Sequence, residues 1–313
     1  MSLRPGIIHI DHVNLNIPSH EPTISFYHKV LGFKLDPRRA HNYLGKKEKG
    51  TVWMNAGASQ FHFPYGPEAQ ILRGEIGISY RTRNDINEVL KNMRKYGHAD
   101  RIVDSEHPVT ILDPNGNTLK LYIDRPPTSQ RYCHPVVEGE LSYKSGAVGI
   151  RYVEYFVPPS SISGLADFYD SVFGCDVSIT GNDNDNNGVL VVVAGGADLD
   201  GGGQVEQRLV FRGKDGIAQY DGHHMSVFVG NGWPGFNAVF NECLKRNIVF
   251  VNDRFSDKVM SLPQAEEAMQ FRIKDLNGLY ELEHEIRCEE HDAYTFGDDD
   301  YDEKTKKVDR GRQ

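Results

Sequence analysis

The sequence predicts an α+β fold of two tandem modules, each a pair of βαβββ motifs whose curved mixed sheets form a cleft. Three observations carry this expectation: the chain repeats itself, each repeat opens on a strand and a helix, and each closes on a tight turn and a short strand. Ile10-Asp11-His12-Val13-Asn14-Leu15-Asn16-Ile17-Pro18 lies over Ile150-Arg151-Tyr152-Val153-Glu154-Tyr155-Phe156-Val157-Pro158, and both alternate as half-buried strands do.

Each opening strand leads into an amphipathic helix. Phe26, Tyr27 and Val30 make one apolar face in the first half, and Phe168, Tyr169 and Val172 make it in the second. Gly32 and Gly174 follow, suited to a left-handed helix stop. Asp113-Pro114-Asn115-Gly116 and Asp275-Leu276-Asn277-Gly278 read as tight turns into the closing strands. A second strand-helix start lies inside each half, at Glu75 to Tyr96 and at His224 to Arg246. The chain is thus four quarters, at 7–66, 71–124, 149–213 and 222–286.

These quarters group into a first module over 1–125, a linker over 126–146, a second module over 147–288 and an acidic, disordered tail over 289–313. Pro126-Pro127 and Pro135 favour extended, unpaired linker chain. The Asn-, Asp- and Gly-rich runs at 181–188 and 195–203 read as solvated hairpin tips, since neither ends in the bidentate Glu of a calcium loop. The tail ends without apolar periodicity, in Gly297-Asp298-Asp299-Asp300 and beyond.

At 313 residues with 39% hydrophobic content, the chain can bury two cores. No stretch approaches the roughly 18 apolar residues that cross a bilayer, and the N-terminus lacks a signal pattern, so a soluble cytoplasmic protein with no membrane partner is expected. The formal charge of −9 argues against a nucleic-acid partner. Cys133, Cys175, Cys243 and Cys288 show no zinc-ribbon or redox spacing, which fits a reducing compartment.

Alternation assigns each strand two faces. With Val13, Leu15 and Ile17 in the core, His12, Asn14 and Asn16 face the cleft. The same test puts Gln60 and His62 in the cleft, then His224 and Ser226, then Glu281, Glu283 and Glu285. Imidazole and carboxylate on rigid strands suit borderline divalent ions. On pattern alone, Glu283 and Glu285 read as rim or solvent carboxylates, and His223 and His284 as ordinary, partly exposed histidines.

From Ile7 to Ile286 the chain resembles the vicinal oxygen chelate (VOC) superfamily of glyoxalases and extradiol dioxygenases. The resemblance rests on Ile10-Asp11-His12-Val13, Phe26-Tyr27 with Leu31-Gly32-Phe33, Asp113-Pro114-Asn115-Gly116, and Asp275-Leu276-Asn277-Gly278-Leu279-Tyr280-Glu281-Leu282. It implies ligands from the first and fourth strands of paired quarters. Mapped position by position, quarter one offers His12 and His62, and quarter four offers His224 and Glu281. Quarter two offers Glu75 and Lys120, and quarter three Tyr152 and Leu209. The single-chain tandem arrangement pairs first with fourth and second with third, so one complete metal site and one ruined site are expected.

The resemblance therefore implies a divalent transition metal (Zn, Ni, Fe or Mn) on His12, His62, His224 and Glu281, with Glu281 as catalytic base. His62 departs from the family pattern, which usually has a carboxylate there. The first functional reading is a glyoxalase-like lyase or isomerase acting on a small substrate with vicinal oxygens. The second is a non-haem iron dioxygenase using His12, His224 and Glu281 as a two-histidine, one-carboxylate face. The third is a metal-free small-molecule-binding protein whose cleft is lined in part by Phe156, Phe228 and Tyr122. No residue assigns glutathione as cosubstrate, and the chain is expected to be a monomer or homodimer.

Overall fold

The computed structural model describes residues 4–47, 49–124, 134, 136–137, 146–181, 188–195, 206–255, 258–291, 301–302 and 307–308. The first quarter contains β1 (Ile7–Asn14), α1 (His20–Ser25), β2 (Lys34–Leu35), α2 (Pro37–Leu44), β3 (Val52–Ala56) and β4 (Ser59–Phe63). The second contains β5 (Gly74–Tyr80), α3 (Arg83–Lys95), β6 (Ile102–Asp104), β7 (Val109–Leu112) and β8 (Thr118–Ile123). The third contains β9 (Ala147–Val157), α4 (Ile162–Phe168), β10 (Val177–Thr180), β11 (Val189–Val193) and β12 (Arg208–Gly213). The fourth contains β13 (His224–Val229), α5 (Gly232–Lys245), α6 (Leu262–Ala268), β14 (Gln270–Ile273) and β15 (Glu283–Cys288).

Two large mixed sheets result, ordered β14-β15-β13-β1-β4-β3-β2 and β10-β11-β12-β9-β5-β8-β7-β6. The first joins quarter one to quarter four, and the second joins quarter two to quarter three. β1 and β13 pair antiparallel at one seam, as β9 and β5 do at the other. The first sheet therefore draws its strands from the two ends of the sequence and the second from its middle, as the tandem two-module fold requires.

The local physics repeats too. α1 and α4 each run into a single π turn, Phe26–Val30 and Tyr169–Phe173, and Gly32 and Gly174 then take φ of +74° and +69°. Phe26, Tyr27, Phe168 and Tyr169 are buried there beneath the sheets. α3 starts in a reciprocal capping box, in which Asp85 N–H donates to Thr82 Oγ1 and Thr82 N–H donates to Asp85 Oδ2. Gln207 ties the two sheets together: its Oε1 accepts from Ile10 N–H at 2.7 Å and its Nε2 donates to Ile150 O at 2.8 Å.

Several expectations meet corrections here. Pro126-Pro127 lies outside the described residues, but His134 and Val136 of the linker segment are buried, and Val137 N–H donates to Leu35 O at 3.1 Å. The linker is thus anchored on the first quarter at these points. Tyr301–Asp302 and Lys307–Val308 pair as a short hairpin, while the rest of the tail beyond His291 and most of the two Asn/Asp/Gly-rich tips lie outside the described residues. Cys175, Cys243 and Cys288 are buried free thiols.

His223 and His284 are both fully buried rather than partly exposed. His284 sits on the core face of β15 with Nε2 2.8 Å from the Tyr169 hydroxyl, and burial pushes its pKa down to about 4. The unfolded chain binds a proton near the ordinary pKa of 6.5, so stability is lost as pH falls from 6.5 towards 4. At pH 5 this histidine alone is expected to cost about 2 kcal/mol relative to pH 7. Urea denaturation at the two pH values checks it: His284→Gln should lose less stability than the native chain over the same interval.

Candidate metal centre

The cleft face of the seven-stranded sheet is set by register. β1 runs parallel to β4, with His12 beside Gln60 and Asn14 beside His62. It runs antiparallel to β13, with His12 beside Ser226 and Asn14 beside His224. β13 runs parallel to β15, with His224 beside Glu283 and Ser226 beside Glu285. Strand periodicity then sends His62, His12, His224, Glu283 and Glu285 to one side.

Among the described residues, His12, His224 and Glu285 each offer one ligand atom, and these atoms lie within 4.8 Å of one another. All three residues are buried. His224 Nδ1 and Asn14 Oδ1 are buried without a hydrogen-bond partner, two polar atoms of the cleft left for an occupant to satisfy.

His62 joins the site differently from the expectation. Its ring is stacked between His12, at 3.7 Å between centroids, and Trp53, at 4.4 Å. Its Nε2 is 2.9 Å from Gln60 Oε1, and Gln60 Nε2 donates to Asp36 Oδ2 at 2.8 Å. Burial, with His12 next to it, holds the His62 pKa well below the usual imidazole value. His62 is therefore a neutral wall of the cleft, and it is absent from the three-donor cluster.

Glu281 requires a correction. Its carboxylate is half exposed and lies 2.7 Å from Lys274 Nζ, outside the donor cluster, and Glu285 stands where it was expected. The reason is an insertion. Lys120 follows Asp113 by seven residues, whereas its register equivalent, Glu285, follows Asp275 by ten. Counting from the turn motif stops short of β15, while strand register points to Glu285. Glu283 and Glu285 are likewise buried, not rim carboxylates.

A buried ionic frame surrounds the three donors. Asp11 Oδ2 lies 2.8 Å from His12 Nδ1 and 2.6 Å from Arg287 Nη1. Burial raises the Asp11 pKa, but Arg287 and His12 outweigh it and hold the carboxyl well below its usual range. An ionised carboxylate only accepts, so Nδ1–H of His12 donates to it and Nε2 is left as the ligand nitrogen. Asp11 reaches this position because β1 bulges between Ile10 and His12, putting an extra residue opposite β13.

Arg287 Nη2 is 2.6 Å from Glu285 Oε1, and Arg272 bonds both Glu285 Oε2 and, at 2.9 Å, Glu283 Oε1. Burial raises the Glu285 pKa, but Arg272 and Arg287 hold it well below the usual range, so it stays ionised. Burial also keeps His224 neutral, with Arg272 acting in the same direction. A neutral His224 and an ionised Glu285 are the protonation states that metal ligation needs. The frame sets Asp11 and Glu285, both held ionised, against Arg272 and Arg287, while burial pushes the Glu283 carboxyl up.

The equivalent cleft on the eight-stranded sheet is closed by its own charge. Lys120 Nζ is 3.0 Å from Glu75 Oε1, an ion pair across facing strands, and the Tyr152 hydroxyl donates to the same oxygen at 2.6 Å. Register makes Tyr152, Glu75 and Lys120 the counterparts of His12, His224 and Glu285. Leu209 was misplaced by one residue: it packs in the core beside Val153, and Val210 occupies the position equivalent to His62. Lys120→Glu is accordingly expected to leave metal content unchanged and to lower Tm, because it sets two carboxylates together with Tyr152 still in a ligand position. Elemental analysis showing a second metal per chain would contradict this.

The paired βαβββ motifs build two tandem modules of the vicinal oxygen chelate fold. Residues 9–121 match the Glyoxalase/Bleomycin resistance protein/Dioxygenase superfamily. Glyoxalase I from Zea mays superposes with a TM-score of 0.56 at 12% identity, covering 90% of this chain and 92% of that one. A putative dioxygenase from Bacillus subtilis subsp. subtilis str. 168 gives 0.57 at 13% identity, covering 92% and 88%. These likenesses concern the fold. No curated protein matches the sequence.

Proposed function

We propose that His12, His224 and Glu285 hold one divalent transition metal, and that the protein is a metal-dependent enzyme acting on a small substrate with two vicinal oxygens. The observation that carries this reading is the convergence of two imidazoles and a carboxylate within 4.8 Å on rigid strands. Three protein donors leave open positions for a bidentate substrate and one further ligand.

Within the superfamily, the geometry favours oxygenase chemistry over the glyoxalase-like lyase. The lyase reading needs a carboxylate that leaves the metal and takes a proton. Glu281 lies outside the cluster, and Glu285 is pinned on both oxygens by Arg287 and Arg272 and held ionised, which makes it a fixed ligand and a poor base. When bound, ferrous iron at such a site supplies Lewis acidity and reducing power toward dioxygen. The chain's own residues do the rest: Asp11 orients His12, Arg272 and Arg287 lock Glu285, and the stacked pair Trp53 and His62 walls the substrate side.

The test compares two reconstitutions. Protein loaded anaerobically with ferrous iron is expected to consume dioxygen with a catecholic probe. The same protein loaded with nickel or zinc is expected not to isomerise the hemithioacetal of methylglyoxal and glutathione. Isomerisation without oxygen uptake would transfer the assignment to the lyase.

A further inference from the structure

A cavity of about 630 Å³ lies away from the metal centre, between the chain leaving β1, the end of α2 and the chain leaving β4. Its charge opposes that of the molecule. Lys46, Lys47 and Lys49 line it in a chain of net charge −9, and no carboxylate among the described residues pairs with any of the three. The lining acid is Glu21, whose carboxylate accepts the Tyr43 hydroxyl.

The opposite character comes from Leu44 and Tyr65, which stay 59% and 39% exposed although both are large and apolar. Lys49 Nζ stands 5.5 Å above the Tyr65 ring. A ligand with an anionic head on an apolar body would meet the ammonium groups and cover the apolar surface at once.

The lysine loop is held in place. His20 Nε2 is 2.9 Å from Gly50 O, and Asn42 Nδ2 donates to Thr51 O at 2.7 Å. Gly50 has φ of +148°, and a Cβ there would meet the Asn42 side chain at 2.7 Å, so the loop closes tightly against α2. Lys46, just after α2, also takes a left-handed φ of +51°. A mobile lysine tail would need none of these devices.

The cavity's lining residues include none of His12, His62, His224 and Glu285. It stands at the ends of the two strands that carry His12 and His62.

We propose that this cavity binds a small, multiply charged anion carried on an apolar or aromatic body, with the lysines on the anion and Leu44 and Tyr65 against the body. The inference stands apart from the metal reading. It is tested by calorimetric titration of the native chain with 1-naphthyl phosphate, 1-naphthol and inorganic phosphate. Naphthyl phosphate should bind at one site per chain, at least about tenfold more tightly than either fragment. The triple variant Lys46→Ala, Lys47→Ala, Lys49→Ala should weaken it by a further factor of about ten, because it removes all three cations that meet the anion. His224→Ala should leave it unchanged. Undiminished binding in the triple variant, no binding to the native chain, or loss in His224→Ala alone, which would put the phosphate in the metal cleft, would each overturn the proposal.

Discussion

Glu285→Gln is expected to strip the metal from the purified protein and to lower turnover by about 10²–10³-fold, while Glu281→Gln leaves both unchanged. The amide keeps the size of the side chain but removes the negative charge, and loss of one charged group aimed at a reacting centre has effects of this order. Glu281 lies at the surface on Lys274, where a lost ion pair of this kind is worth little. Elemental analysis and oxygen uptake on the two variants side by side check the prediction. A defect in Glu281→Gln with a normal Glu285→Gln would restore the ligand set suggested by the turn motif.

Arg272→Ala is expected to destabilise the fold by about 3–5 kcal/mol, the largest stability effect of any single substitution in the cleft. Its guanidinium is buried, bonds both Glu283 and Glu285, and covers the Phe255 ring at 4.0 Å. Removing it leaves two buried carboxylates side by side. Metal binding should partly offset the loss, because the cation takes over part of the missing positive charge, so the destabilisation measured in chelator should exceed that measured with metal present. Equal losses under both conditions would mean that Glu285 does not contact the ion.

The fold was legible because it is written twice. Alternation in two homologous opening strands, two helices closed by Gly32 and Gly174, and two Asx-Gly turns define four quarters, and only pairing first with fourth puts His12, His62 and His224 on one sheet. What strand periodicity could not show are the places where regularity breaks. Asp11 is re-aimed by a one-residue bulge, so alternation hides its contact with His12. Glu285 lies beyond three inserted residues, so motif spacing selects Glu281 in its place. A usable signal was there: Glu283 and Glu285 alternate on a strand whose neighbour carries Arg272, and buried carboxylates need such partners. His134 was hidden for another reason, since a proline-rich linker carries no period from which burial can be read. It nonetheless lies buried 3.7 Å from Asp11 and 3.2 Å from Arg38.

The most direct measurement is a crystal structure of the iron-loaded protein with anomalous data collected at the iron edge. The account predicts one peak per chain, bonded to His12, His224 and a Glu285 oxygen at roughly 2.0–2.2 Å, with His62 still stacked on Trp53 and no peak between Glu75 and Lys120. A peak at Glu281, a peak in the second cleft, or none in a protein that consumes oxygen with a catecholic probe would contradict it.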